Sequence, residues 1–190
     1  MKKNYFQKTF SFLVFLLSIT VFLFHSSPVQ AEKSYSIDQV NIKAKLNKDG
    51  SMDVDEERLY NFHEDYSFAY LYINKRVNQS KKPGRDESYE LSNFQVCDNL
   101  RCYKTTTTAA DSMSKPERAG SFYVNEESNR YYVKWFYQAL DEKKTFHLKY
   151  TVDNAATIHS DVSELYWQFI GDEWEVPESS IFVELTLPAG

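Results

Sequence analysis

Glycine is scarce in this chain, with five residues in 190. None can be spared for a phosphate-cradling loop, and no glycine-rich nucleotide motif occurs. Cysteine is rarer still: Cys97 and Cys102 stand alone, and two thiolates without a second ligand pair do not complete a tetrahedral metal shell. His63, His147 and His159 lie far apart, with no two at a metal-ligand spacing and none beside a cysteine or a glycine-flanked serine. No metal and no cofactor is expected, and no small-molecule substrate is identified. Basic charge is also in deficit, 22 lysines and arginines against 27 aspartates and glutamates. Phosphate binding needs the opposite balance, so nucleic acid is not expected as a partner. A convincing amphipathic helix is missing after residue 31, which argues against a helical body.

What is present begins with the leader. Lys2, Lys3 and Lys8 form a basic n-region, Phe10 to Phe24 an apolar h-region, and Val29-Gln30-Ala31 a small-residue cleavage site. An uncleaved anchor competes with this reading, but the apolar run is shorter than the ~20 residues that a spanning helix needs. Residues 1–31 are therefore expected to be a signal peptide, and residues 32–190 one exported domain. Removal of the leader leaves 19 basic against 27 acidic side chains, a net charge of −8. Export places Cys97 and Cys102 in an oxidising compartment, where the CDNLRC segment can close on a local disulfide.

The mature chain alternates apolar and polar residues with a period of two. Val40, Ile42, Ala44 and Leu46 share a phase that is offset from Tyr35 and Ile37, which predicts a bulge. Asn47-Lys48-Asp49-Gly50 predicts a hairpin turn into a second strand. In that strand Glu56 and Arg58 fall in line with the apolar phase, so either the pair is solvated at a sheet edge, the favoured reading, or it is buried and satisfied. Tyr66–Ile73 predicts another strand. Tyr131, Val133, Trp135 and Tyr137 share one face of a strand, and Phe146, Leu148, Tyr150 and Val152 one face of the next, read as a hairpin. Ile181, Val183, Leu185 and Leu187 mark a last strand, and residues 109–120 are expected to be a mobile loop without a packed core. The expected fold is all-β, an antiparallel β-sandwich of about eight strands.

Asp161 to Pro177, DVSELYWQFIGDEWEVP, reads as the packing centre. Trp135, Trp167 and Trp174 are expected to form a structural aromatic core; the competing reading makes Trp167, Trp174 and Tyr166 a sugar-stacking platform. Lys75, Arg76, Lys81, Lys82 and Arg85 make the one basic cluster of an acidic protein, either a solvated loop or a contact for anionic envelope polymer or lipid headgroups. Carboxylates abound at Glu56 and Glu57, at Asp161 and Glu164, and at Asp172, Glu173 and Glu175. Sequence spacing does not place any two of them across a cleft, as glycoside hydrolysis requires, and no catalytic residue is assigned.

Two stretches carry a family resemblance. DGSMDVDEERLYNF (Asp49 to Phe62) and the run from Val133 to Gly190 resemble the N-terminal domain of domain-of-unknown-function family 2207, the YciQ-like predicted membrane proteins. The most specific positions are Phe146, Tyr150, Asp161, Glu164, Leu165, Tyr166, Trp167, Gly171, Trp174 and Leu187-Pro188. The resemblance implies an extracellular β-sandwich ahead of membrane-spanning helices, with no established activity and no catalytic residue. Residues 74–130 match poorly, and the family pattern continues past Gly190, so membrane association is expected through a further C-terminal segment. The expectation is a non-enzymatic ectodomain with a binding or scaffolding role at the outer face of the cytoplasmic membrane or in the cell envelope, with an envelope polymer or a protein as partner. The alternatives are a carbohydrate-binding or envelope-polymer-binding module and, behind it, a glycoside hydrolase-like enzyme.

Overall fold

A computed structural model describes residues 33–75, 89–171, 176 and 179–188, all within the unit Lys33–Gly190. The signal-peptide reading at residues 1–31 lies outside the described residues, as do Trp174 and the acidic group Asp172, Glu173 and Glu175.

Eleven strands are described: β1 (Ser34–Leu46), β2 (Met52–His63), β3 (Asp65–Asn74), β4 (Leu91–Asp98), β5 (Lys104–Thr105), β6 (Ser121–Glu126), β7 (Arg130–Leu140), β8 (Lys143–Val152), β9 (Ala156–Ile158), β10 (Ser163–Leu165) and β11 (Ile181–Thr186). They form a five-stranded sheet in the order β11-β1-β2-β8-β4, a four-stranded sheet β3-β7-β6-β5, and a ribbon of β9 and β10. The mostly β sandwich expected from the sequence is what forms. Its pairings are antiparallel except at two margins, where β11 runs parallel to β1 and β5 parallel to β6. The β1–β2 turn forms where expected, with Gly50 at φ 87° and its N–H donating to the Asn47 carbonyl at 3.1 Å. The expected bulge interrupts β1 between Ile37 and Gln39.

The hairpin expected between β7 and β8 does not form. β8 pairs with β2 and β4, while β7 pairs with β3 and β6 in the other sheet. A single left-handed residue, Asp141 at φ 46°, carries the chain from one sheet to the other, and Glu64 at φ 74° does the same between β2 and β3. The two corners are tied together. The Glu64 N–H donates to Asp141 Oδ1 at 2.7 Å, and the Phe62 N–H to the Glu142 carbonyl at 3.0 Å. A period of two describes a hairpin and a sheet-crossing corner equally well.

Rings from both sheets meet in the core. Tyr60 and Phe62 of β2 stack at 5.4 Å, Phe62 lies 5.3 Å from Tyr137 of β7, Tyr137 lies 4.7 Å from Phe146 of β8, and Phe146 lies 5.6 Å from Trp135. Aromatic pairs at these separations add about 0.5–1.5 kcal/mol each beyond the area they bury. Trp135 is fully buried, so the packing centre is the β2–β7–β8 seam and not the Asp161 to Pro177 stretch. There the regular strand ends at Leu165. Trp167 packs half-buried against the core from outside, 5.0 Å from Tyr89 and 6.4 Å from Tyr150.

The loop after β5 is ordered, against expectation. A 3-10 helix (Thr108–Ser112) is capped by the Thr107 side chain, and a short helix α1 (Lys115–Arg118) by a Ser114–Glu117 capping box. Ala110 is fully buried against Tyr123 and Phe136, which point outward from the smaller sheet and need a cover. The expected last strand forms as β11, with Ile181, Val183 and Leu185 exposed and in register with buried Val40, Ile42 and Ala44 of β1.

Candidate functional site

The carboxylates were the first candidates for chemistry. Glu56 is not at a solvated edge, as the sequence favoured, because β2 is an interior strand between β1 and β8. Glu56 and Arg58 are each 2 % exposed. Glu56 Oε2 accepts from Arg58 Nη2 at 2.6 Å and Nε at 3.1 Å, and Oε1 accepts from the Tyr150 hydroxyl at 2.7 Å. Burial, with the Glu56 carboxylate beside it, raises the Tyr150 hydroxyl well above its ordinary range. A carboxylate locked in this way serves the core. Its neighbour Glu57 points to the opposite face, as successive strand residues must, so the two do not face each other across a cleft. On that outer face His147 sits between Asp55 at 3.3 Å and Glu57 at 3.6 Å. Asp161 is exposed and Glu164 half-buried on β10.

Cys97 and Cys102 are joined in a disulfide. The loop that it closes is organised by Asp98, which sequence reading missed. Its Oδ1 accepts the Leu100 and Arg101 N–H groups, both at 2.9 Å, and its Oδ2 the Tyr103 hydroxyl at 3.0 Å. Partial burial pushes the Asp98 carboxyl up, but these donors outweigh it and hold its pKa below the ordinary value.

The outer face of the smaller sheet carries a row of rings. Tyr70 and Tyr72 of β3 lie 5.6 and 5.1 Å from Tyr132 of β7, which lies 6.0 Å from Tyr123 of β6. The Arg130 guanidinium sits 3.7 Å over the Tyr72 ring, and the Lys134 ammonium 4.4 Å over Phe68. Lys134 and the Tyr123 hydroxyl both reach Asp111, at 2.6 and 2.8 Å, which fastens the 3-10 helix to this face. Burial, then the neighbouring Tyr72, pushes Tyr132 up to about 12. Phase alone puts residues 68, 70 and 72 on one face of their strand and residues 132, 134 and 136 on one face of theirs, but the pairing that joins them into a row is not local to either strand. Among the rings of the competing platform reading, Trp167 and Tyr166 are half-buried against the core, and Trp174 lies outside the described residues. Of the basic cluster, Lys75 is ion-paired with Glu126; Arg76, Lys81, Lys82 and Arg85 lie outside the described residues.

A second concavity opens between the two sheets below β3. Its space of about 330 Å³ is lined by Tyr35 and Ile37 of β1, Tyr60 and Phe62 of β2, residues 66–72 of β3, Tyr70 and Tyr72 among them, and Tyr137 of β7. The Lys33 ammonium lies 4.2 Å over the Tyr66 ring on its lining. Among the described residues no group of three His, Cys, Asp or Glu side chains is placed to hold a metal ion.

A family model described as the N-terminal domain of a predicted membrane protein (DUF2207) matches residues 36–190. The chain belongs to this family. The DUF2207 match also runs through residues 74–130, so the basic loop and the disulfide loop fall inside the family region that sequence resemblance alone had left out. Membrane association is a property of the family; no helix among the described residues is long and apolar enough to cross a membrane. No curated protein matches. Among solved structures, this DUF2207 domain is similar to a two-domain M1 zinc metallopeptidase mutant bound to L-arginine, at 11 % identity and TM-score 0.40, over 82 % of this chain and 33 % of that one. The same mutant bound to L-tryptophan aligns at 10 % identity and TM-score 0.34, over 64 % and 21 %. A putative protease from Parabacteroides distasonis aligns at 10 % identity and TM-score 0.29, over 62 % and 22 %. The chain spans a third or less of these structures' length, and at such scores the likeness carries no argument about activity.

Proposed function

We propose that this DUF2207 domain is a non-enzymatic binding or scaffolding ectodomain, exported and held at the outer face of the cytoplasmic membrane or in the cell envelope. The observation that carries the reading is the tyrosine row of Tyr70, Tyr72 and Tyr132 with Arg130 laid across it. Rings of this kind offer large amphipathic contact area at low entropic cost, whereas the one fully buried carboxylate among the described residues, Glu56, is neutralised inside the core. The leader and the disulfide fit an oxidising compartment. The tyrosine row also favours a second, narrower reading as a carbohydrate- or envelope-polymer-binding module, since sugar faces stack on such rings.

The experiment is co-sedimentation of the exported protein with isolated cell-envelope polymer. Tyr70→Ala, Tyr72→Ala and Tyr132→Ala together should lower retention about tenfold or more, because each lost ring contact is worth roughly 0.5–1.5 kcal/mol. Polymer capture that the triple variant leaves intact would exclude this face. Lack of capture would leave protein partners, and cross-linking in intact cells through the same face would then have to find one. Resistance of the domain to protease added outside intact cells would contradict the placement.

A further inference from the structure

We infer that the cleft between the sheets is a binding site for the apolar chain of a single anionic amphiphile, a long-chain carboxylate. Tyr70 and Tyr72 of the tyrosine row also line this cleft, but the inference rests on the cleft and Lys33 and not on the reading given to the outer face.

The walls decide the occupant's body. Tyr35, Tyr66, Phe68, Tyr70 and Tyr72 line its accessible walls, over a buried floor of Ile37, Tyr60, Phe62 and Tyr137. The Tyr137 hydroxyl is already donated to the Phe68 carbonyl at 3.0 Å, and burial raises its pKa, so from that side only the ring is offered. An apolar cavity of about 150 Å³ stays dry and takes up a benzene-sized ligand. The 330 Å³ here is more than twice that and falls within the roughly 300–1,000 Å³ usual for ligand pockets. Two sheets packed about 10 Å apart leave a slot one chain or one ring deep, which suits an extended alkyl chain.

The charge decides the head. Lys33 is exposed and lines the cleft, and its ammonium is met by the Tyr66 ring with no carboxylate partner among the described residues. A carboxylate joined to an apolar chain matches both features, the ring-lined cleft and the cation on its lining.

The test is titration of the protein, purified after export of the full chain, with dodecanoate below its micellar range, and in parallel with dodecanol. Saturable one-to-one binding of dodecanoate is expected, tighter than that of dodecanol. Lys33→Gln should weaken dodecanoate about tenfold, the size of one charged hydrogen bond, and leave dodecanol unchanged. Ala69→Leu, which adds volume to the same cleft, should weaken both ligands. The near-UV spectrum checks that each variant keeps its packing; should Ala69→Leu lose it, the exposed Lys33→Gln still decides. No saturable binding, equal affinity for acid and alcohol, indifference to Lys33→Gln, or affinity unmoved in a folded Ala69→Leu protein would each overturn the inference. So would capture by phosphatidylglycerol vesicles without binding of monomeric dodecanoate, which would point to a bilayer surface instead.

Discussion

Arg58 is the side chain whose removal should tell most. A buried ion pair gains little over an apolar pair of the same shape, because desolvation consumes most of the Coulomb attraction, but half of one is costly. With Arg58→Met the Glu56 carboxylate keeps only the Tyr150 hydroxyl, and stability should fall by about 3–5 kcal/mol. The double variant Glu56→Gln, Arg58→Met should recover most of that loss in urea denaturation; a double variant as unstable as the single one would mean that Arg58 acts through packing alone. Asp98 gives the complementary pH experiment. Its folded pKa lies below the ordinary 3.8, so its ionised form stabilises the loop, fully above about pH 4. That contribution disappears as pH falls below 3.8 towards the folded value. Wild type should therefore melt above Asp98→Asn at neutral pH, and the gap in Tm should close under acid. A gap that stays constant to pH 2 would show that the carboxylate's charge is not what the loop uses.

At the scale of elements, what the sequence reveals is phase, and what it hides is partnership. The inward positions of β7 and β8 were legible residue by residue, because side chains alternate strictly across a strand. Which sheet each strand joins was not, since one left-handed aspartate replaces the turn that a hairpin would need. Glu56 and Arg58 were misplaced for a related reason: strand order, which makes β2 interior, is not written in local periodicity. The disulfide was readable because it is local, the tyrosine row was not because it joins three strands, and the cleft was not because its walls come from four. Density of aromatics misled in residues 161–171, where Tyr166, Trp167 and Phe169 pack against the core without lying in the seam. Trp135→Ala and Trp167→Ala separate the two situations. The first should cost about 3–5 kcal/mol, as expected for a fully buried indole, and the second roughly half as much, because Trp167 remains partly in solvent. Equal costs in chemical denaturation would restore residues 161–171 to the centre of the fold.

For the molecule as a whole, the question is whether covalent or non-covalent ties hold the sandwich. The disulfide joins residues five apart within one corner, whereas the rings of β2, β7 and β8 bridge the two sheets, and the corners at Glu64 and Asp141 clamp both crossings at one end. Loop-closure entropy for so short a ring amounts to about 2 kcal/mol, less than the ~3 kcal/mol of a fifteen-residue loop. Cys97→Ser with Cys102→Ser should therefore lower stability by about that amount and leave unfolding cooperative, with tryptophan fluorescence from the seam and far-UV dichroism from the strands following one curve. The bridge acts on the denatured chain and on one rim, and the seam acts on everything that must come apart together. Two separated transitions in the bridge-free protein would mean that the sheets are not coupled through Tyr60, Phe62, Trp135, Tyr137 and Phe146, and the sandwich would then have to be treated as two layers joined chiefly at their corners.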